Sequence, residues 1–218
     1  AEQDRSVKVV LLTGEGRAFC VGADLKAHKT GRTPFDRRQY LQGEQIVCKR
    51  LLELQKPVVA AVNGYALGAG AEMAIASDFI IMAESAQIGL PEIGLANFLG
   101  GGITFLLPKL VGLAKARELV FLGEKIKGQE AVRIGLANRV FPDEGFLQKA
   151  REFALQLAEK APLSMQLAKR QLVFASEGTL DAALTAELEG MMFTGTTKDW
   201  QEGIDAFAEK RKPHYKGE

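Results

Sequence analysis

Two carboxylates, Glu72 and Glu92, stand twenty positions apart in segments where a charge does little for solubility. Glu72 follows Gly68-Ala69-Gly70-Ala71, a run of small residues expected to lead into a helix. Glu92 sits in Gly89-Leu90-Pro91-Glu92-Ile93-Gly94, which reads as a rigid turn after a short apolar strand. Carboxyl groups in partly apolar surroundings can hold different pKa values and divide acid and base duties. The competing reading is a pair of helix-end charges favoured by the macrodipole. The local sequence leaves both open.

Two segments could each aim a backbone N–H at an oxygen. Arg17-Ala18-Phe19-Cys20-Val21-Gly22-Ala23-Asp24 leaves a strand and turns on Gly22, while Gly68-Ala69-Gly70 enters a helix. The first N–H groups of a helix lack internal partners and favour developing negative charge. Two such donors converging on one carbonyl oxygen would form an oxyanion hole, where one donor is worth roughly 3–4 kcal/mol of transition-state stabilisation. The plainer reading is that these glycines permit turns and close packing.

Other chemistries fail on pattern. Gly68-Ala69-Gly70 has Met73 where a dinucleotide fingerprint needs a third glycine, and Gly14-Glu15-Gly16 has Phe19. There is no P-loop with its lysine and no Gly-x-Ser-x-Gly elbow. The two histidines, His28 and His214, are not spaced for a metal site; His28 reads as a loop residue.

The elements that must position the glutamates indicate an α/β fold. Val7 to Thr13 is a β-branched run stopped by Gly14 and Gly16, and Pro57 to Asn63 is a second, nearly continuous one. Such runs suit parallel strands covered on both faces. Between them, about 37–55, Ile46, Val47, Leu51, Leu52 and Leu54 recur at helical spacing. Phe79-Ile80-Ile81-Met82 is a third strand, after the helix of Glu72. Alternating strands and helices predict a layered α/β arrangement.

Beyond Gly100-Gly101-Gly102 the pattern turns helical. Short helices are expected over 103–110, 114–122 and 129–134, with Gly112, Gly123 and Gly135 as stops. Arg139-Val140-Phe141 reads as one more strand, and four helices follow at about 146–159, 162–176, 179–193 and 197–211. Pro162 suits a first turn, and Thr179-Leu180-Asp181 supplies capping chemistry. The expected organisation is an α/β core over 1–144 and a helical region over 145–218, whose apolar stripes must be covered by the body or by a neighbouring subunit.

Composition narrows the class. The 218 residues are 47% hydrophobic and 25% charged, with net charge +1. That suits a globular protein with a real core and gives no bulk reason to expect nucleic acid or an anionic membrane as partner. The basic tail, Lys210, Arg211, Lys212 and Lys216, reads as a solvated helix end or a phosphate contact. Two cysteines, Cys20 and Cys48, do not make a disulfide framework. No run approaches a membrane span, and the first five residues are polar and unlike a targeting signal. A cytoplasmic protein is the expectation.

Taken in order, these segments resemble the enoyl-CoA hydratase/isomerase (crotonase) superfamily. The resemblance rests on Arg17 to Leu25, Lys56 to Gly68, Ala86 to Glu92 and the tail Phe207-Ala208-Glu209-Lys210-Arg211, spread over nearly the whole chain. It implies a crotonase-like spiral of ββα units with a C-terminal helical region that mediates homotrimers, commonly paired into hexamers. It also implies a coenzyme A thioester as substrate, with no separate cofactor and no metal.

By position the resemblance puts the oxyanion-hole amides on Val21 and Ala69 and the catalytic glutamates on Glu72 and Glu92. Substrate and CoA contacts fall on Val21, Gly22, Ala23, Asp24, Leu25 and Gly68, and on Phe207 and Lys210 toward a neighbouring subunit's CoA. Two glutamates favour hydration of a 2-enoyl-CoA to a 3-hydroxyacyl-CoA, the reaction of a hydro-lyase. The alternatives are enoyl-CoA isomerisation, another acyl-CoA lyase or hydrolase activity, or a non-catalytic CoA-binding member.

Three departures stand out. Ala69 replaces a common glycine; the amide survives, and the added methyl is expected to narrow the acyl slot. Asn97 to Phe105 lacks the usual proline, glutamine and arginine and carries Phe98 and Phe105. Related chains also carry residues ahead of Val7, including another strand, so the usual domain's amino-terminal part is expected to be missing and a sheet edge uncovered.

Overall fold

A computed structural model of the chain describes residues 1–24, 31, 33–175 and 178–218; Leu25 and His28 lie outside the described residues. In chain order the elements are β1 (Val10–Thr13), β2 (Ala18–Cys20), α1 (Pro34–Glu53), β3 (Val58–Val62), β4 (Tyr65–Leu67), α2 (Ala69–Ile75), β5 (Phe79–Ala83) and β6 (Gln87–Gly89). After a 3₁₀ turn at Ile93–Leu95 come α3 (Ile103–Leu122), β7 (Ile126–Lys127), α4 (Gly128–Arg133) and β8 (Arg139–Phe141). The last four helices are α5 (Phe146–Ala158), α6 (Pro162–Ala175), α7 (Leu180–Thr194) and α8 (Lys198–Ala208).

The chain divides into two compact units. The larger comprises Leu11–Glu53 and Val58–Arg151; the other comprises Ala1–Val10, Leu54–Pro57 and Glu152–Glu218.

The larger unit holds two four-stranded sheets, ordered β1-β3-β5-β8 and β2-β4-β6-β7. In the first, β3 runs parallel to β5, pairing Ala60 with Ile80, and β5 runs parallel to β8, pairing Met82 with Val140. All five residues of β3 are buried. The unbroken apolar run therefore reflects a strand covered on both faces, as its composition predicts. The second sheet pairs β2, β4 and β6 in parallel, with β7 antiparallel at its far side. Among the described residues, β1 and β2 are the edge strands on one side of each sheet.

Helix α2 is the central packing element, touching α1, α3, β2, β3, β4 and β5. Five of its seven residues are buried: Gly70, Ala71, Glu72, Ala74 and Ile75. Its alanines and glycine let backbone lie close to backbone. A Cβ at position 70 would stand 2.0 Å from the Cys20 carbonyl oxygen, so α2 can follow the end of β2 this closely only with glycine there.

Sequence and structure differ at several elements. The first strand begins at Val10 rather than Val7, because the Val7 N–H closes a turn onto the Asp4 carbonyl. The expected helices at 103–110 and 114–122 are, by contrast, both present as the two arms of α3, separated at Gly112, whose φ of 76° and ψ of 154° break the helical path as expected. The short strands β2, β4 and β7 are additions, each two or three residues long.

The smaller unit is mainly helical, and α6 packs on α7. Gln171 Nε2 donates to the Ala186 carbonyl at 2.7 Å. Thr179 caps α7 by accepting from the Ala182 N–H, and Thr197 caps α8 by accepting from Trp200. The final residues fold back onto α8, where the buried Asp199 carboxylate accepts N–H groups of Lys216 (2.7 Å) and Gly217 (2.8 Å). No residue of α7 is buried, and Leu180, Leu184, Leu188, Met191 and Met192 are exposed. No helix among the described residues is long and apolar enough to cross a membrane.

Candidate active site

Three adjacent parallel strands release the site residues. The chain leaves β2 at Cys20 into Val21, leaves β4 at Leu67 into Gly68-Ala69, and leaves β6 at Gly89 into Leu90-Pro91-Glu92. Because β2, β4 and β6 point the same way, their ends fall on one edge of the sheet. Segments remote in sequence therefore meet there, as ligand sites do at the carboxyl ends of parallel strands.

The two amide-bearing segments touch. A Cβ on Gly22 would lie 3.4 Å from the Ala69 nitrogen and 3.1 Å from the Leu67 carbonyl oxygen. The turn after β2 thus runs against the start of α2, with Val21 exposed and Gly22 and Ala23 half-buried. Gly68 caps α2 with a φ of 56°, and its N–H donates to the Gly89 carbonyl at 3.2 Å. Asp24 is exposed at the end of this segment.

The carboxylates lie against the same backbone. Glu72, in the first turn of α2, is 6% exposed, and Glu92 is 7% exposed. Glu92 Oε1 would be 3.2 Å from a Cβ on Gly68, so this oxygen borders the cap of α2. The Glu92 main chain is fixed by its carbonyl, which accepts from Leu95 and Asn97 at 2.9 Å each.

The hydrogen bonding of the pair is unequal. Glu72 Oε1 accepts the Gly100 N–H at 2.7 Å. Among the described residues, Glu92 Oε2 is buried with no hydrogen-bond partner. Burial pushes the pKa of both above the ordinary carboxylate value. For Glu72 the Gly100 N–H opposes that rise and the charge of Glu44 adds to it. For Glu92 its own N–H opposes the rise and the charge of Glu72 adds to it. Burial beside the charge of another acid favours the neutral form, and it is Glu92 that lies beside the charge of Glu72. The Gly100 N–H on Glu72 Oε1 favours the ionised form of that carboxylate.

Sequence reasoning missed two participants. Gly100 was read only as the start of a glycine run, and Cys48 only as an apolar thiol. Cys48 is 2% exposed on α1, and burial followed by the Glu72 charge pushes its thiol pKa up to about 12. The repeated glycines at 100–102 were a signal that backbone approaches something closely; what it approaches is not encoded locally.

The tail residues belong to the other unit. Phe207 is 87% exposed and Lys210 has a φ of 54°. Phe207 lines a cavity of about 410 Å³ with Trp200, Ile204 and Tyr215. Among the described residues, no group of three His, Cys, Asp or Glu side chains is arranged to hold a metal ion. Cys20 and Cys48 are both free thiols.

The parallel strands, the glycine-capped helix start and the two buried glutamates agree with the crotonase resemblance. A family model described as enoyl-CoA hydratase/isomerase matches residues 1–218, and the chain belongs to that family. It is similar to the 2,3-dehydroadipyl-CoA hydratase of Escherichia coli (strain K12), 40% identical over 220 residues covering 100% of this chain and 84% of the relative. It is also 38% identical to a short-chain-enoyl-CoA hydratase of Clostridium acetobutylicum, over 97% of this chain and 81% of that one. A crystal structure of an enoyl-CoA hydratase from Bacillus anthracis superposes with a TM-score of 0.95 at 40% identity, covering 100% of this chain and 84% of that one.

Proposed function

We propose that the protein adds water to a 2-enoyl-CoA thioester to give the 3-hydroxyacyl-CoA. The observation that carries this is the unequal pair of buried glutamates: Glu72 accepts the Gly100 N–H brought in from a distant loop, while one oxygen of Glu92 is buried without a partner among the described residues. Relatives whose names describe enoyl-CoA hydratases support the same reading.

In this mechanism the N–H groups of Val21 and Ala69 bind the thioester oxygen, which gains enolate charge as water attacks. The approach of Gly22 to the Ala69 nitrogen supports that convergence. Glu72, ionised, removes a proton from water as its oxygen bonds to the β-carbon. The Cα=Cβ electron pair moves toward the thioester, and protonated Glu92 delivers a proton to the α-carbon. One proton is taken and one is given, so the product differs from the substrate by one water. Proton exchange then returns the pair to its starting state. The flanking Gly22, Ala23, Asp24 and Gly68 border the thioester and CoA, with Phe207 and Lys210 toward the CoA of a neighbouring subunit. No separate cofactor takes part.

Exposed Leu184, Leu188, Met191 and Met192 on α7 support a homotrimer or a pair of trimers, since large apolar faces seek cover. Cytoplasmic residence fits two free thiols.

The test follows the loss of enoyl-thioester absorbance with crotonyl-CoA and longer 2-enoyl-CoAs. Conversion to 3-hydroxyacyl-CoA is expected. Binding of these thioesters without water addition to any of them would overturn the proposal.

A further inference from the structure

Gly101 and Gly102 share a left-handed backbone, with φ of 57° and 81°, but not their surroundings. A Cβ at position 101 would stand 2.8 Å from Cys48 Sγ, 2.9 Å from Glu72 Cβ and 3.0 Å from Glu72 Oε2. At position 102 it would meet only Leu106 Cδ1, at 3.9 Å, an ordinary contact. Cys48 cannot yield the space easily, because it is buried on α1, which packs on α2. Gly101 is therefore the place where α1, α2 and the loop before α3 close on one carboxylate.

We infer that Gly101 is a positioning residue for Glu72. Having no side chain, it lets the 100–101 backbone settle on the carboxylate, so that the Gly100 N–H reaches Oε1 while Cys48 Sγ closes the other flank. The inference rests on Glu72 acting as the base toward water, and it adds a residue that never touches substrate. A methyl group at 101 pushes Glu72 away from the Gly100 N–H. Displacement of a catalytic group by about 1 Å is enough to cost up to roughly 10²-fold in rate.

The sign of the accompanying pH effect follows from the groups around Glu72. Glu44 and Cys48 face it from α1, and Glu92 is coupled to it from the turn after β6. The Gly100 N–H favours the ionised form, so its loss raises the pKa of Glu72 further. The acid limb of the rate profile then moves to higher pH.

The experiment compares Gly101→Ala with Gly102→Ala, which introduces the same kind of backbone strain without the collision. Gly101→Ala is expected to lower kcat by roughly 10- to 10²-fold with KM for crotonyl-CoA within about twofold of wild type, and to raise the acid limb. Gly102→Ala is expected to keep kcat within about threefold and leave the limb in place. Adding Cys48→Ala to Gly101→Ala removes the 2.8 Å contact and restores part of kcat. If Gly101→Ala does not fold, the double variant is compared with Cys48→Ala alone and is expected to retain the raised limb. Equal losses in the two glycine variants, or an acid limb that does not move, would overturn the inference. Should the wild-type chain hydrate no enoyl thioester, the hydration reading fails separately. Carboxyl ¹³C NMR of the glutamates then decides the inference, with a higher Glu72 pKa in Gly101→Ala than in Gly102→Ala expected and equality contradicting it.

Discussion

The Gly100 N–H donates to Glu72 Oε1 at 2.7 Å across twenty-eight positions of sequence, and it distinguishes Glu72 from the equally buried Glu92. One carboxylate has a donor that stabilises its charge; the other has an oxygen with none. In the proposed mechanism, that inequality assigns opposite roles to two side chains of one type.

It predicts a bell-shaped dependence of kcat/KM on pH. Activity falls on the acid side as the pair takes up its second proton, with an apparent pKa above the ordinary 4.5, because burial raises both carboxyls. It falls again on the alkaline side as the remaining proton leaves. Both apparent values belong to the pair. A profile flat from acid to alkaline pH would contradict this.

Glu92→Gln is expected to stabilise the fold at alkaline pH. The folded-state pKa of Glu92 is raised, so the native chain holds that proton more tightly than the unfolded chain. Wild-type stability therefore declines as pH rises from about 4.5 through the raised value, and it does not recover above it. Glutamine removes this decline. The melting temperature of the variant should exceed wild type at pH values well above the raised pKa, and the gap should close toward acid pH; a gap independent of pH would count against a buried, proton-bearing Glu92.

Gly70→Ala should disrupt the site through packing alone. The added methyl meets the Cys20 carbonyl at 2.0 Å, and backbone cannot move aside as a flexible side chain can. Overpacking of this kind typically costs about 1–3 kcal/mol. The strain falls on the junction between the end of β2 and the start of α2, so hydration should drop even in the fraction that remains folded. Denaturant unfolding and turnover measured on one preparation check both effects.

Asp199→Ala tests the smaller unit. The substitution leaves the part-buried Lys216 and Gly217 N–H groups without their acceptor, at a cost of at most about 1–3 kcal/mol. The tail should then lose its seat on α8. Hydrogen exchange at Lys216 and Gly217 should accelerate, while amides of β3 and β5 in the larger unit keep their protection.

Much of the core was legible because its signals are local. The apolar runs predicted β3 and β5 nearly to the residue, Arg139–Phe141 was read as a strand, and Thr179 was read as a cap. The glutamates drew notice because a charge among alanines and glycines needs an explanation. The second sheet was harder. Its strands β2, β4 and β7 are two or three residues long, too short for periodicity to register, and exist through pairing with distant segments. The partners of Glu72 were hidden for a similar reason. Gly100 and Cys48 lie far from it along the chain, and only the packing of α1, α2 and the loop before α3 brings them together. The tail stripes of α7 were read as needing cover, and their exposure leaves that demand visible in the isolated chain.

The most direct test of the central claim is turnover of crotonyl-CoA by Glu92→Gln beside wild type, with CoA-thioester affinity measured on the same samples. The account predicts a fall in kcat of at least ~10²-fold, the scale of lost acid–base help, with affinity nearly unchanged. A variant that hydrates crotonyl-CoA at the wild-type rate would remove Glu92 from proton delivery and contradict the division of labour between the two carboxylates.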